Sequence, residues 1–296
     1  MSLINTLTHL VTHPLNKTNK ILAIARYVRW QVGSRLVPGD VIFNWIRNSK
    51  IIAYPGETGV TGNIYCGLHE FSDMAFLLHV LRRDDLFIDV GANSGSYTIL
   101  ASSVIGAKVY CFEPIPSTYL RLVNNIRVNN LEGERVVALN IALGDSSGEI
   151  DFSSDQDCMN HVIADGETTE YKTTVRVSTL NEEVKKPPFL IKIDVEGYET
   201  SVLKGAQNIL KNNELCGVIM ELNGSGKRYG YDESLILSMM TDCGFEAYSY
   251  NPIDRKFIPL NGKNFTEGNT IFIRNMERVL ERIIIAPKIE IHGVSI

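Results

Sequence analysis

The chain has 296 residues, 44% of them hydrophobic and 21% charged, enough apolar material to bury a sizeable core as one large domain or two small ones. A net charge of −5 argues against a general nucleic-acid binder, which is usually basic. The charge is uneven: residues 1–50 carry Lys17, Lys20, Arg26, Arg29, Arg35, Arg47 and Lys50 against one acid, Asp40.

Residues 17–36, KTNKILAIARYVRWQVGSRL, place Ile21, Ala25, Val28 and Val32 on one helical face with basic residues nearby. Such a helix docks on a membrane surface or a partner, or packs on its own domain with a solvated basic side; the second reading is favoured. Two strand-like pieces follow, Ile51–Tyr54 and Asn63–Cys66, separated by the turn-rich PGETGVTG.

From Leu81 the pattern becomes regular. The apolar runs LFIDV (86–90), AKVYCFE (107–113), RVVALNIAL (135–143), FLIKIDV (189–195) and LCGVIMEL (215–222) alternate with helical stretches at Tyr97–Ser103, Thr118–Val128, Thr200–Leu210 and Ser234–Met240. Nearly continuous apolar runs fit parallel strands covered on both faces, so a doubly wound α/β sheet is expected. The rhythm breaks between Leu143 and Phe189. There GEIDF (148–152) and KTTVRVSTL (172–180) alternate like exposed strands around the polar loop SSDQDCMNHVIADGETTE, long enough for a lid. A final strand, NTIFIRN (269–275), precedes a charged segment read as a short helix and a tail. The expected division is an extension over 1–80 packed on the core, a domain over 81–275, and a C-terminal helix and tail over 276–296.

Five scattered cysteines form no CxxC pair, so neither a disulfide framework nor a zinc site is expected and a reducing compartment is favoured. No apolar run reaches the roughly 18 residues that span a bilayer. The N-terminus lacks a charged n-region followed by an apolar h-region, so no signal peptide is expected and the location is read as cytoplasmic.

The turn DVGANSG differs from the dinucleotide fingerprint G-x-G-x-x-G. The position where that fingerprint has its second glycine is Asn93, whose side chain would crowd a diphosphate, and Asp89 would repel one. An uncharged or zwitterionic ligand fits better, with Gly91 turning the backbone tightly and Asp89 accepting from an ammonium group. Glu113, at the end of the next strand, suits both hydroxyls of a ribose, in an adenosine ligand or NAD. Asn140–Asp145 would lie beside an adenine, and Asp194 and Glu196 lie just beyond the fourth strand.

Taken in order, DVGANSGSYT, FEPIPS, the helix end with Asn125 and Asn129–Asn130, ALGD and KIDVEGYE resemble the FkbM-type S-adenosylmethionine-dependent methyltransferases, over about Leu86 to Glu221. The resemblance implies the class I methyltransferase fold, a Rossmann-like, seven-stranded, mostly parallel sheet with helices on both faces and its last strand antiparallel. It implies S-adenosyl-L-methionine as cofactor, with Asp89, Gly91, Ala92, Asn93 and Gly95 around its methionine side. Glu113, followed by Pro114, then takes the ribose, Ala142 flanks the adenine and Asp194 faces the sulfonium end. Glu70, in GLHEF, matches a glutamate often seen there in the family and is expected to contact the cofactor. Family members O-methylate natural products and sugars, so the expected acceptor is a hydroxyl on a small molecule or glycan.

An alcohol acceptor needs a base within reach as the bond forms. Asp194 and Glu196 are the best-placed carboxylates; capping the following helix is their alternative role. His161, in MNHVI, is the one histidine in the insertion and a further base candidate. No metal is expected, although Asp194, Glu221 and Asn223 would offer oxygens to a divalent cation. The glycine-rich LNGSGKRYGYDES lacks the GK[ST] ending of a phosphate loop and reads as a surface loop or as a mobile element gripping the acceptor. The alternatives are an N-methyltransferase acting on a protein or small-molecule amide or amine, an NAD-dependent dehydrogenase, and a non-catalytic cofactor-binding protein.

Overall fold

The computed structural model describes residues 3–36, 39–54, 57, 59–153, 160–164, 166–169, 171–266 and 269–296. The chain opens with helices α1 (Leu3–Thr12) and α2 (Lys20–Leu36), the hairpin β1 (Val41–Asn44) and β2 (Lys50–Ala53), then α3 (Gly59–Cys66) and α4 (Phe71–Val80). Next come β3 (Leu86–Val90), α5 (Ser96–Ile99, continued as a π turn to Ile105), β4 (Lys108–Phe112), α6 (Pro116–Val128) and β5 (Val136–Leu139). A side sheet holds β6 (Ala142–Leu143), β7 (Gly148–Ser153) and β8 (Lys172–Ser178). After the short α7 (Leu180–Glu183) come β9 (Leu190–Ile193), α8 (Glu199–Lys204), α9 (Gln207–Leu210), β10 (Gly217–Glu221) and α10 (Glu233–Asp242). The last elements are β11 (Glu246–Asn251), β12 (Lys256–Pro259), β13 (Asn269–Ile273), α11 (Met276–Ile285) and the hairpin β14 (Glu290–Ile291) with β15 (Val294–Ser295).

The main sheet is ordered β12-β11-β13-β10-β9-β3-β4-β5. Strands β5, β4, β3, β9 and β10 run parallel, and β13 enters antiparallel between β10 and β11. This is the doubly wound α/β arrangement that the resemblance implied, with one strand more than the seven expected. The eighth, β12, folds back antiparallel on β11 at the sheet edge. Along β3, Phe87 packs into one apolar layer and Ile88 and Val90 into the other, so helices cover both faces. The chain winds one way through β3, β4 and β5 and the other way through β9 and β10. The crevice therefore opens where β3 and β9 part, beyond Val90 and Ile193.

The structure departs from the sequence reading in four places. The run RVVALNIAL divides at Asn140, whose side-chain amide donates to the carbonyls of Glu113 and Pro114 at 2.8 and 2.9 Å. Its second half, β6, pairs with β8 instead of continuing the main sheet. Asn63–Cys66 is helical, because nearly every side of α3 is buried and no 3.6-residue stripe shows. On α2 the apolar face expected to pack inward is exposed, and Ala23 and Trp30 are buried instead. The expected C-terminal tail is a β-hairpin with Ile289, Ile291 and Ile296 buried. Cys158 and the middle of the expected lid, 154–159, lie outside the described residues, as do Pro55, Gly56 and Thr58 of the expected turn. Among the described residues no helix is long and apolar enough to cross a membrane.

The asparagines at the end of α6 clamp the N-terminal hairpin to this frame. Asn125 is fully buried; its Oδ1 accepts from the Ile52 N–H at 2.7 Å and its Nδ2 donates to the Ser94 carbonyl at 2.8 Å. Asn129 bonds both the N–H and the carbonyl of Lys50 at 2.8 Å. Asn125→Ala strands one buried donor and one buried acceptor and is expected to lower unfolding free energy by about 2–4 kcal/mol, read by urea denaturation. An unchanged midpoint would show that water replaces the side chain.

Candidate active site

The turn after β3 owes its shape to Gly91. Its φ is 74°, and a Cβ there would lie 1.8 Å from the main-chain oxygen of Asp194. The N–H groups of Gly91 and Ala92 both donate to the Phe112 carbonyl, at 3.0 and 2.9 Å. Asn93, also at positive φ (50°), turns its Oδ1 back to accept from the Ser94 N–H at 2.7 Å, so its side chain caps its own loop. Gly95, at φ 90°, starts α5 where a Cβ would meet Leu122 Cδ1 at 2.5 Å.

Glu113 joins this turn to the next loop. Its Oε2 accepts from the Asn93 N–H at 2.9 Å and its Oε1 from the Ile115 N–H at 3.0 Å. Burial pushes its pKa up to about 7 against the pull of those two bonds.

A cavity of about 240 Å³ occupies the crevice. Of the residues expected for the cofactor, Gly91, Ala92, Asn93, Glu113 and Pro114 line one part of it. Glu70, Ala142, Asp194 and Glu196 line the rest. Gly95 shapes the turn without reaching the lining. Asp89, expected to face an ammonium group, is not in the lining either. Its Oδ2 accepts from Thr98 Oγ1 at 2.7 Å beneath the turn, and burial raises its pKa. In register with Cys111 and Lys192, it points with them to one face of the sheet. His161 is buried outside the cavity, with Nε2 2.9 Å from Glu167 Oε1 and Nδ1 3.4 Å from Ser153 Oγ; its neighbour Asn160 lines the cavity instead.

At the β9 edge three carboxylates converge. Asp194, Glu196 and Glu221 bring oxygens within 4.8 Å of one another. Glu196 takes the place expected for Asn223, whose Oδ1 instead accepts from the Ser225 N–H at 2.9 Å. Burial, then repulsion from Asp194, lifts Glu196 to about 6; burial, then Asp194 and Glu196, lifts Glu221 to about 9. Lys192, buried in β9, donates to Asp194 Oδ2 at 2.8 Å and lies 4.8 Å from the centre of the Tyr97 ring. Burial works to lower its pKa, but Asp194, Glu70 and Asp89 raise it on balance. Neither Lys192 nor Tyr97 was anticipated as part of the site. The one signal was a lysine inside the otherwise apolar run FLIKIDV, since a buried ammonium requires partners. The loop LNGSGKRYGYDES forms a short 3₁₀ turn, Ser225–Tyr229, packed so closely on Gly197 that a Cβ there would meet Ser225 C at 2.6 Å.

The carboxylate cluster carries a pH signature. Glu196 and Glu221 titrate above their ordinary 4.5 when folded, so the stability they lend is whole below about pH 4.5 and is lost as pH rises through about 6 and about 9. The ligand-free protein is expected to lose stability, read as a falling Tm, between pH 6 and pH 9. Calorimetry should show Glu221→Gln flattening most of that fall; an equally steep fall would remove Glu221 as its source.

The sequence matches one family of known proteins. Residues 89–247 match the family described as the methyltransferase FkbM domain. The hexuronic acid methyltransferase AglP of Haloferax volcanii is 34% identical over 154 residues, covering 50% of this chain and 59% of that protein. Methyltransferase 1 of Beauveria bassiana is 24% identical over 220 residues, covering 65% of this chain and 86% of that protein. A crystal structure of methyltransferase FkbM from Methylobacillus flagellatus superposes with a TM-score of 0.44 at 18% identity, covering 72% of this chain and 52% of that one. The chain thus spans just over half the length of the archaeal relative and of the crystallised protein.

Proposed function

The chain belongs to the FkbM methyltransferase family, and from that premise we propose that it transfers a methyl group from S-adenosylmethionine to a hydroxyl of a sugar or other small molecule. The observation that carries the reading is one cavity joining the Gly91 turn, Glu113 and the carboxylate cluster. The lining suits that cofactor. Gly91 lets the turn close against the Asp194 main chain, and Glu113 has lone pairs to spare for a ribose diol. The acids Glu70, Glu113, Asp194, Glu196 and Glu221 face the cavity with one cation, Lys192, already paired to Asp194. That wall repels a diphosphate and accepts a positively charged sulfur and an ammonium group, which disfavours NAD.

Bound there, the cofactor supplies an electrophilic methyl group on a sulfonium. The protein's work is alignment, exclusion of water and removal of the acceptor's proton. Three neighbouring carboxylates with separated proton affinities divide the labour. Asp194 is committed to Lys192. Glu221, pushed up to about 9, holds a proton at neutral pH and offers it to a bound ligand. Glu196, at about 6, is ionised and is the base. The relative named for hexuronic acid supports a carbohydrate as the first acceptor class to test. Glu196→Gln is expected to lower kcat about 50-fold and to erase the acidic limb of the kcat profile near pH 6, with cofactor affinity within about threefold of the parent. A retained limb would reassign the base.

A further inference from the structure

The outward face of α2 belongs to none of the chemistry above. Ile21, Leu22, Ile24, Val28, Val32 and Leu36 are each 40–80% exposed. At 100° per residue they form one apolar stripe opposite Ala23 and Trp30, the residues that pack α2 onto the body of the protein. Arg29 and Arg35 fall within that arc and Lys20 at its edge; all three and Lys17 are exposed, and no acid occurs before Asp40. The rest of the chain is acidic, so this is a basic and apolar face on an otherwise negative molecule.

We propose that α2 docks the protein on an anionic lipid bilayer, with its apolar stripe in the headgroup–acyl boundary and its basic residues against lipid phosphates. Charge complementarity selects this occupant. A second copy laid on the same face would bring Lys20, Arg29 and Arg35 against their own like charges with no acid in the helix to pair them. An anionic bilayer answers the apolar and the basic components together. The geometry also gives docking a consequence: α2 packs on α3, and α3 lends Gly59, Val60 and Asn63 to the cavity wall. A protein held through α2 keeps its cavity one helix away from the membrane surface. The proposal is independent of the reaction assigned to the cavity.

Flotation of the purified protein with vesicles tests it. Vesicles of phosphatidylcholine mixed with phosphatidylglycerol are expected to carry the protein upward, and phosphatidylcholine alone to leave it at the bottom. Arg29→Gln should lower the partition coefficient about fivefold, the equivalent of about 1 kcal/mol per basic residue. Val28→Asn with Val32→Asn should abolish flotation while keeping the parent Tm, since both side chains are exposed. Should that double variant lose its fold, Ile21→Asn, at the most exposed position, reads the same stripe. The proposal is overturned by no binding to the anionic vesicles, or by flotation indifferent to these substitutions. Lipid-free dimerisation that the stripe variants abolish would also overturn it, assigning the face to a second copy.

Discussion

Gly91→Ala is expected to leave no measurable cofactor binding and to destabilise the fold by about 4 kcal/mol or more. Two effects combine. An alanine at φ 74° is strained in the left-handed region. Its Cβ would also lie 1.8 Å from the Asp194 carbonyl oxygen, and a backbone atom has no rotamer by which to move aside. Relief means parting the ends of β3 and β9, which breaks the 3.0 Å bond from the Asp194 N–H to the Val90 carbonyl and displaces the carboxylate cluster. Guanidinium unfolding measures the first effect and calorimetric titration the second. A variant with parental stability and affinity would mean that the two loops do not sit this closely in solution.

The second large effect is at Glu113. Glu113→Ala is expected to weaken cofactor binding about 1000-fold, roughly 4 kcal/mol, by removing two charge-assisted bonds to a diol and stranding the N–H groups of Asn93 and Ile115. A pH dependence separates this from simple loop collapse. With its pKa pushed to about 7 by burial, Glu113 accepts both hydroxyls only when ionised. Cofactor affinity of the parent protein should therefore rise between pH 6 and pH 8, and the alanine variant should lack that rise. A flat profile in the parent would contradict the ribose assignment.

The Gly91–Glu113 wall of the crevice was legible because its residues lie at strand ends, where short motifs and strand positions coincide. Gly91, Glu113 and Asp194 could each be placed from the run that precedes them. The interior of the acidic cluster was less legible. Glu196 and Glu221 are 25 residues apart, and their encounter depends on β9 and β10 being neighbours in a particular register. His161 was singled out for its residue type and loop, but backbone pairing of Ser153 with His161 turns that loop onto itself. Asp89 shares its sheet face with Lys192, but two residues before Gly91 its carboxylate is held beneath the turn by Thr98 and does not reach the lining. The asparagines of α6 were recognised as a pattern, but not as the clamp on a hairpin more than 70 residues earlier. On α2 the periodicity was real, and it described a surface instead of a core.

Titration calorimetry with S-adenosylmethionine, S-adenosylhomocysteine and NAD tests the central claim most directly. Saturable binding of both sulfur ligands, lost in Glu113→Ala, and no heat with NAD is the predicted result. Binding of NAD with no response to either sulfur ligand would contradict the account.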